Sequence, residues 1–108
     1  LDNKYKEITK SVIIRYQKIV EHIKQTRGRK CQICQYSFIM DNGNEYCEAH
    51  HIQYLSKNGS QSSDNVILLC PNHHRMFHYA HDAVFVDDLV DGKRKVLIEN
   101  VEHLIDFS

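Results

Sequence analysis

The sequence predicts a small α+β domain stapled by metal: a long amphipathic helix, a strand–loop–strand–helix centre and a β-hairpin near the end. Three observations carry that reading. Apolar residues recur at three- and four-residue steps over residues 4–26. Short β-prone runs bounded by turn residues follow at 46–52, 65–69 and 84–98. Among them stand two ligand pairs, Cys31-x-x-Cys34 and Cys70-x-x-His73, and six of the eight histidines fall between His50 and His81. A chain of 108 residues has the length of one domain and buries only a modest core, so a stabilising metal suits its size. The expected organisation is a single domain over 1–108, with a basic helix at 1–30, a metal-framed centre at 31–80 and a hairpin and tail at 81–108.

In the first helix, Ile8, Val12, Ile13, Tyr16, Ile19, Val20 and Ile23 form one apolar stripe, with Lys and Arg on the other face. Gly28, within Arg27-Gly28-Arg29, is a natural C-terminal cap. Residues 31–36 make a tight cysteine turn and Asp41-Asn42-Gly43-Asn44 a second turn. Tyr46 to Ile52 reads as a strand, followed by a polar loop from Ser56 to Asp64 that is too rich in Gly, Ser and Asn for regular structure. Asn65 to Leu69 is a short buried strand, and Pro71 suits the first turn of a helix reaching about Tyr79. Residues 84–86 and 95–98 flank a turn containing Asp91-Gly92, which predicts the hairpin. Val101 to Phe107 is expected to add one last short turn of helix.

Net charge is zero, yet it is unevenly placed. Residues 1–30 carry nine Lys and Arg against three acids, whereas residues 82–108 carry seven acids against three bases. A basic arm beside a ligand-rich centre can steer a polyanion even when the whole chain is neutral, and the rival reading is a solvated helix face that happens to be basic. No apolar run approaches the roughly 20 residues that span a bilayer, so no membrane role is expected. Leu1-Asp2-Asn3-Lys4 leads into an amphipathic segment rather than an apolar leader, and the absent start Met points to a processed or excised piece. The expected setting is intracellular and reducing, in the cytoplasm. There a C-x-x-C followed by Cys-x-x-His favours zinc over two disulfides.

The ligand-type residues sort into two sets. Cys31, Cys34, Cys70 and His73 offer two x-x spaced pairs on two turns, the pattern of a closed, four-ligand structural zinc. His74 could exchange roles with His73. Cys47 reads as a small buried core residue. The second set is His74 and His78, at i and i+4 on one helix face, completed by His50 from the neighbouring strand. Three ligands leave positions open for water or a phosphate oxygen, which marks a catalytic site. His51 is then the spare imidazole, able to act as a general base near neutral pH, provided that the strand ends or bends so both rings serve one site. Its other ring N–H needs an acceptor, expected from a loop carbonyl. Glu48 stands two residues before His50 and is the carboxylate expected to orient a metal-bound imidazole. His22 and His103 read as surface residues, and His81 as bordering the site at most.

In order and spacing, the stretch from Cys31 to His78 resembles the HNH, or ββα-metal, nuclease family. Glu48-Ala49-His50-His51-Ile52 is similar to its first motif strand, Asn65 to its middle Asn and His74 to its final histidine. The cysteine pairs resemble the zinc-ribbon frame of the subgroup that contains McrA-like restriction enzymes, and 64–74 resembles the nuclease domains of modification-dependent restriction enzymes. The resemblance implies a ββα-metal (His-Me finger) core. It implies His51 as general base, His50, His74 and His78 as metal ligands, and Asn65 as the residue that ties the loop between strands. It also implies a DNA phosphodiester as substrate, double-stranded, with a 5′-phosphate product. Arg75, Lys57, Arg27, Arg29 and Lys30 are then candidates for DNA phosphate contacts.

The chain departs from the family at Tyr54, where the subgroup often has Pro, at Asn58-Gly59, where it has Gly-Gly, and at His78, where several relatives have Asp or Asn. Three imidazoles suit manganese, cobalt, nickel or zinc better than magnesium, which prefers oxygen ligands. The expected activity is that of a metal-dependent endonuclease, the cleavage domain of a restriction-type or homing-type system. One unit makes one cut, so a homodimer and a missing DNA-reading domain are expected companions. The rival reading is a non-catalytic zinc-ribbon module for nucleic-acid binding or assembly, which uses the Cys-type set and leaves the three-histidine set without a role.

Overall fold

The computed structural model describes residues 2–53 and 62–108. Its elements run α1 (Asp2–Arg27), β1 (Glu48–His51), β2 (Val66–Leu69), α2 (Pro71–Tyr79), β3 (Val84–Val86), β4 (Lys93–Ile98) and β5 (Val101–Asp106), with short 3-10 turns at Ser63–Asn65 and His81–Ala83. Lys57, Tyr54, Asn58-Gly59 and most of the expected polar loop lie outside the described residues.

Two antiparallel sheets meet around one buried strand. β1 pairs with β2 in the register Glu48↔Leu69, Ala49↔Leu68, His50↔Ile67 and His51↔Val66. All four residues of β2 are fully buried, because each of its faces is covered. Ile67 and Leu69 join Phe77 of α2 and Val96, Ile98, Ile105 and Phe107 of the second sheet, whereas Val66 and Leu68 pack with Ile23 of α1 and Cys47. That is why β2 reads as an unbroken apolar run rather than an alternating one.

Among the described residues, helix α1 meets the buried core through its C-terminal part. Ile23 is buried and Ile19 rests on the core, but Val12, Ile13 and Ile14 are 40%, 49% and 41% exposed. Gly28 adopts φ +91°, and its N–H bonds the carbonyl of Lys24 at 2.9 Å, closing the helix.

Arg27, the last residue of α1, is half-buried and turned into the fold rather than presented to a ligand. Its four terminal N–H bonds go to Gln32 Oε1 (3.2 Å) and to the carbonyls of Val66 (2.5 Å), Ser63 (2.6 Å) and Phe107 (2.8 Å). The expected phosphate contact from Arg27 is therefore corrected, since no terminal donor is left for one. Phe107 itself is clamped between the guanidinium groups of Arg27 and Arg94, 4.9 and 5.2 Å from its ring centre. Arg94 reaches the Asp64 carbonyl at 2.8 Å. The two arginines thus tie the C-terminal strand to the turn that precedes β2. Replacing Arg27 by Met is expected to cost about 3 kcal/mol, because it strands carbonyls that a charged donor now satisfies. A Lys there should not restore the loss, since it lacks the planar fork. Urea unfolding midpoints measure both, and an unchanged midpoint for the Met variant would contradict this role.

The expected last helical turn is also corrected. Residues 101–106 form β5, paired with β4 from Ile98↔Val101 to Lys93↔Asp106. Glu99 and Asn100 both take positive φ, 48° and 69°, which is the two-residue turn that matches the twist of a hairpin. The odd-numbered residues Ile105 and Phe107 then point inward and are buried.

A candidate metal centre at the end of the first hairpin

Cys31 and Cys34 lie on the turn after α1, where Gln35 N–H bonds the Cys31 carbonyl at 2.8 Å and Gln35 adopts φ +64°. Cys70 caps α2, its sulfur 3.4 Å from the backbone N–H of His73. Gln32 pins the two turns together: its N–H bonds the Leu68 carbonyl at 2.8 Å and its side-chain oxygen accepts from Leu68 N–H at 3.0 Å. The ligand atoms of Cys31, Cys34, Cys70 and His73 all lie within 4.8 Å of one another. Around a tetrahedral zinc, sulfurs stand about 3.8 Å apart and sulfur and nitrogen about 3.5 Å apart. The observed separations are 3.9 Å for Cys34–Cys70, 3.6 Å for Cys31–His73 and 3.4 Å for Cys70–His73, the last two to His73 Nδ1. The donor set and its spacing fit a zinc ion, and His73 rather than His74 stands with the cysteines.

His50, His74 and His78 form the second cluster, again with ligand atoms within 4.8 Å of one another. His50 and Glu48 sit opposite Ile67 and Leu69, on the β1 face turned to α2. The His50 ring lies 5.2 Å from those of His74 and Phe77 and 4.9 Å from that of His78. His74 and His78, one helical turn apart, bring their Nε2 atoms to 3.1 Å. Imidazole nitrogens sharing one cation stand about 2.9–3.4 Å apart, depending on coordination number. The other nitrogen of His74, Nδ1, donates to Glu48 Oε1 at 2.7 Å. A carboxylate only accepts, so the proton sits on Nδ1 and the Nε2 lone pair faces the cluster. Glu48 Oε2 accepts from the Tyr46 hydroxyl at 2.6 Å. The Tyr46 bond, followed by the His74 bond and the nearby charge of Arg75, holds the Glu48 carboxyl below the usual range despite partial burial.

Burial is the main cause that lowers the His50 pKa to about 3, helped by its proximity to three further imidazoles, His74, His78 and His51, whose positive charge, when present, would repel a second one. His50 is therefore neutral at physiological pH, the form that binds metal. Burial also lowers His51, His73 and His78. The unfolded chain binds a proton at position 50 below about pH 6.5, whereas the folded chain resists it down to about pH 3. Folding stability is thus expected to fall as pH drops through that window. A His50→Asn variant should lose less stability between pH 7.5 and 5.5 than the wild type. Equal slopes in urea titrations would contradict it.

His51 is not part of either cluster. It sits opposite Val66, on the β1 face turned to α1, with its ring 5.2 Å from that of Tyr16. Strand alternation separates it from His50, and β1 ends at His51. His51 Nε2 is buried and has no hydrogen-bond partner among the described residues, which leaves Nδ1 as the ring's other nitrogen for any exchange with water. The loop carbonyl expected for its other N–H is not found among the described residues.

Asn65 is buried and ties itself to the start of the loop that precedes it. Its amide donates to the Gln53 carbonyl at 3.0 Å and accepts from Gln53 N–H at 2.9 Å. Arg75 is exposed on α2, whereas Arg29 pairs with Glu21 and Lys30 with Glu45 on the surface. His81 donates to the His78 carbonyl at 2.7 Å and borders a cavity of about 460 Å³ beside His50, Gln53 and Phe77. Sequence reasoning missed Tyr46, Tyr16 and Gln32. Only Tyr46, two residues before Glu48 on an alternating strand, carried a readable signal.

The model of the HNH endonuclease family matches residues 31–79. Over 63 residues, 56% of this chain, the sequence is 40% identical to the type IV methyl-directed restriction enzyme EcoKMcrA of Escherichia coli (strain K12). The fold is similar to that of a modification-dependent restriction endonuclease, TagI, with a TM-score of 0.60 and 25% identity over 82% of this chain. The chain spans 22% of the first relative's length and 30% of the second's.

Proposed function

We propose, from the premise that residues 31–79 are an HNH endonuclease segment, that this chain is the cleavage module of a restriction-type enzyme and hydrolyses phosphodiester bonds of double-stranded DNA. The observation that carries the reading is the convergence of His50, His74 and His78. A divalent cation, when held there, supplies Lewis-acid polarisation of the phosphate and charge stabilisation at the leaving oxygen.

The residues of the chain do the rest. His51 takes a proton from water at Nδ1, its pKa lowered by burial so that the ring is neutral at pH 7. His50 and His51 face opposite sides of the strand end. In-line displacement needs the attacking water and the leaving 3′ oxygen on opposite sides of phosphorus, so the alternation that separates the two rings serves the reaction. The product ends are a 5′-phosphate and a 3′-hydroxyl. Glu48 keeps His74 in the tautomer that presents Nε2, and Asn65 holds both ends of the loop after His51. Cys31, Cys34, Cys70 and His73 would hold a structural zinc, which would join the end of α1 to the start of α2.

Phosphate contacts fall to Arg75 and to Lys10, Arg15 and Lys18 of α1, which are exposed and have no ion pair among the described residues; Lys57, outside the described residues, is a candidate from the sequence alone. Arg29 and Lys30 can exchange their exposed pairs for phosphates. The relatives extend well beyond the length of this chain, which supports a separate DNA-reading domain, and cutting both strands calls for a second copy. Four unpaired cysteines suit a reducing, intracellular compartment.

Plasmid cleavage tests the reading. Supercoiled plasmid, both methylated and unmethylated, should be nicked or linearised when manganese, nickel or cobalt is added, more slowly with magnesium, and not at all with EDTA. Intact plasmid of both kinds with every ion would overturn the proposal.

A further inference from the structure

We propose that Tyr46 is a positioning residue of the three-imidazole centre, acting on His74 through Glu48. The inference rests on the reading of His74 as a metal ligand and goes beyond it by naming what fixes that ligand. The Glu48 carboxylate has one oxygen on His74 Nδ1 and the other on the Tyr46 hydroxyl, at 2.7 and 2.6 Å. Tyr46 is itself held on several sides. Its ring stacks on Phe38 with centres 4.9 Å apart and planes at 20°. Its N–H meets the Phe38 carbonyl at 2.9 Å and Ser37 Oγ at 3.1 Å, and Ser37 Oγ donates to its carbonyl at 3.0 Å. Rigidity therefore passes from a locked aromatic pair to a carboxylate and from there to an imidazole.

A carboxylate with one free oxygen, this close to three converging imidazoles and to Arg75, would rotate. It would turn toward a bound cation or toward the guanidinium and release His74 Nδ1. The Tyr46 hydroxyl removes that freedom. It keeps Glu48 out of the ligand set, preserves the open coordination positions that a substrate oxygen needs, and holds His74 in the tautomer that presents Nε2. Outer partners of metal-bound histidines commonly change metal affinity by about 10–100-fold when removed.

The test uses the full chain with its cysteine site loaded with zinc, and nickel as the probe. Calorimetric titration should show one nickel site in the wild type. Tyr46→Phe keeps the stacked ring and loses only the hydroxyl; it should weaken nickel binding by about 3–10-fold, and Glu48→Gln by about 10–100-fold. Tyr46→Phe added to Glu48→Gln should cost nothing more. Imidazole nitrogen chemical shifts of the nickel-free protein should show His74 protonated at Nδ1 in the wild type and as a tautomer mixture in Tyr46→Phe. Unchanged affinity and tautomer in Tyr46→Phe, or a full additional loss in the double variant, overturns the role of Tyr46 alone. A wild type that takes up no nickel beyond its zinc overturns the reading of His74 on which it rests.

Discussion

Replacing His51 with alanine is expected to slow DNA cleavage by about 10²–10⁴-fold, the range by which a positioned general base accelerates a reaction. Binding of nickel or manganese should be unchanged, because His51 lies outside the three-imidazole cluster and on the other face of β1. Affinity for DNA should also hold, since a neutral imidazole contributes no phosphate charge. The loss should therefore appear in the single-turnover rate at saturating DNA and metal. Cleavage at the wild-type rate would remove His51 from the reaction. An equal fall in metal affinity would show that the substitution had disturbed His50 instead.

The second large effect concerns the cysteine site. Cys34 is exposed, so exchanging its thiol for the hydroxyl of Ser costs no core packing. With zinc as the ion held there, any collapse in Cys34→Ser would report its loss. Structural zinc sites contribute about 10–16 kcal/mol in zinc-finger peptides, comparable with the roughly 5–15 kcal/mol that holds a whole domain together. The other ligands Cys31 and Cys70 belong to the same buried cluster as Ile33, Ile67 and Phe77. Losing that ion would release the joint between the end of α1 and the start of α2. Cys34→Ser should therefore bind no zinc and show no cooperative thermal transition at the wild-type midpoint. A variant that melts like the wild type but no longer cuts DNA would assign the cysteine set to the chemistry instead of the fold.

The centre of the domain was legible because its signals are local. Pro71 at the start of α2, the i, i+4 spacing of His74 and His78, and the apolar run of β2 each report a structure made by near neighbours. The same locality made the ligand sets readable as two groups, since each x-x pair is brought together by one turn. The features that stayed hidden depend on distant partners. Arg27 looks like another surface cation until the carbonyls of Ser63, Val66 and Phe107 fold around it. Residues 101–106 lack a glycine at the preceding turn, so Asn100 is the single local sign that Glu99 and Asn100 will take the left-handed conformation and return the chain along β4 as a strand. Tyr16 carries the helical period of a core residue, yet its ring rests on His51, which β1 brings to it from a distant part of the chain. The alternation that parts His50 from His51 could be read in advance, but its use could not, because it depends on where a substrate enters.

The proposed chemistry requires one exchangeable cation held by His50, His74 and His78. Anomalous X-ray scattering from crystals grown with zinc and soaked in nickel tests this directly. It should show zinc at Cys31, Cys34, Cys70 and His73, and nickel about 2.0–2.2 Å from one imidazole nitrogen each of His50, His74 and His78. Nickel absent from the three imidazoles, in crystals whose cysteine site is filled, would contradict it.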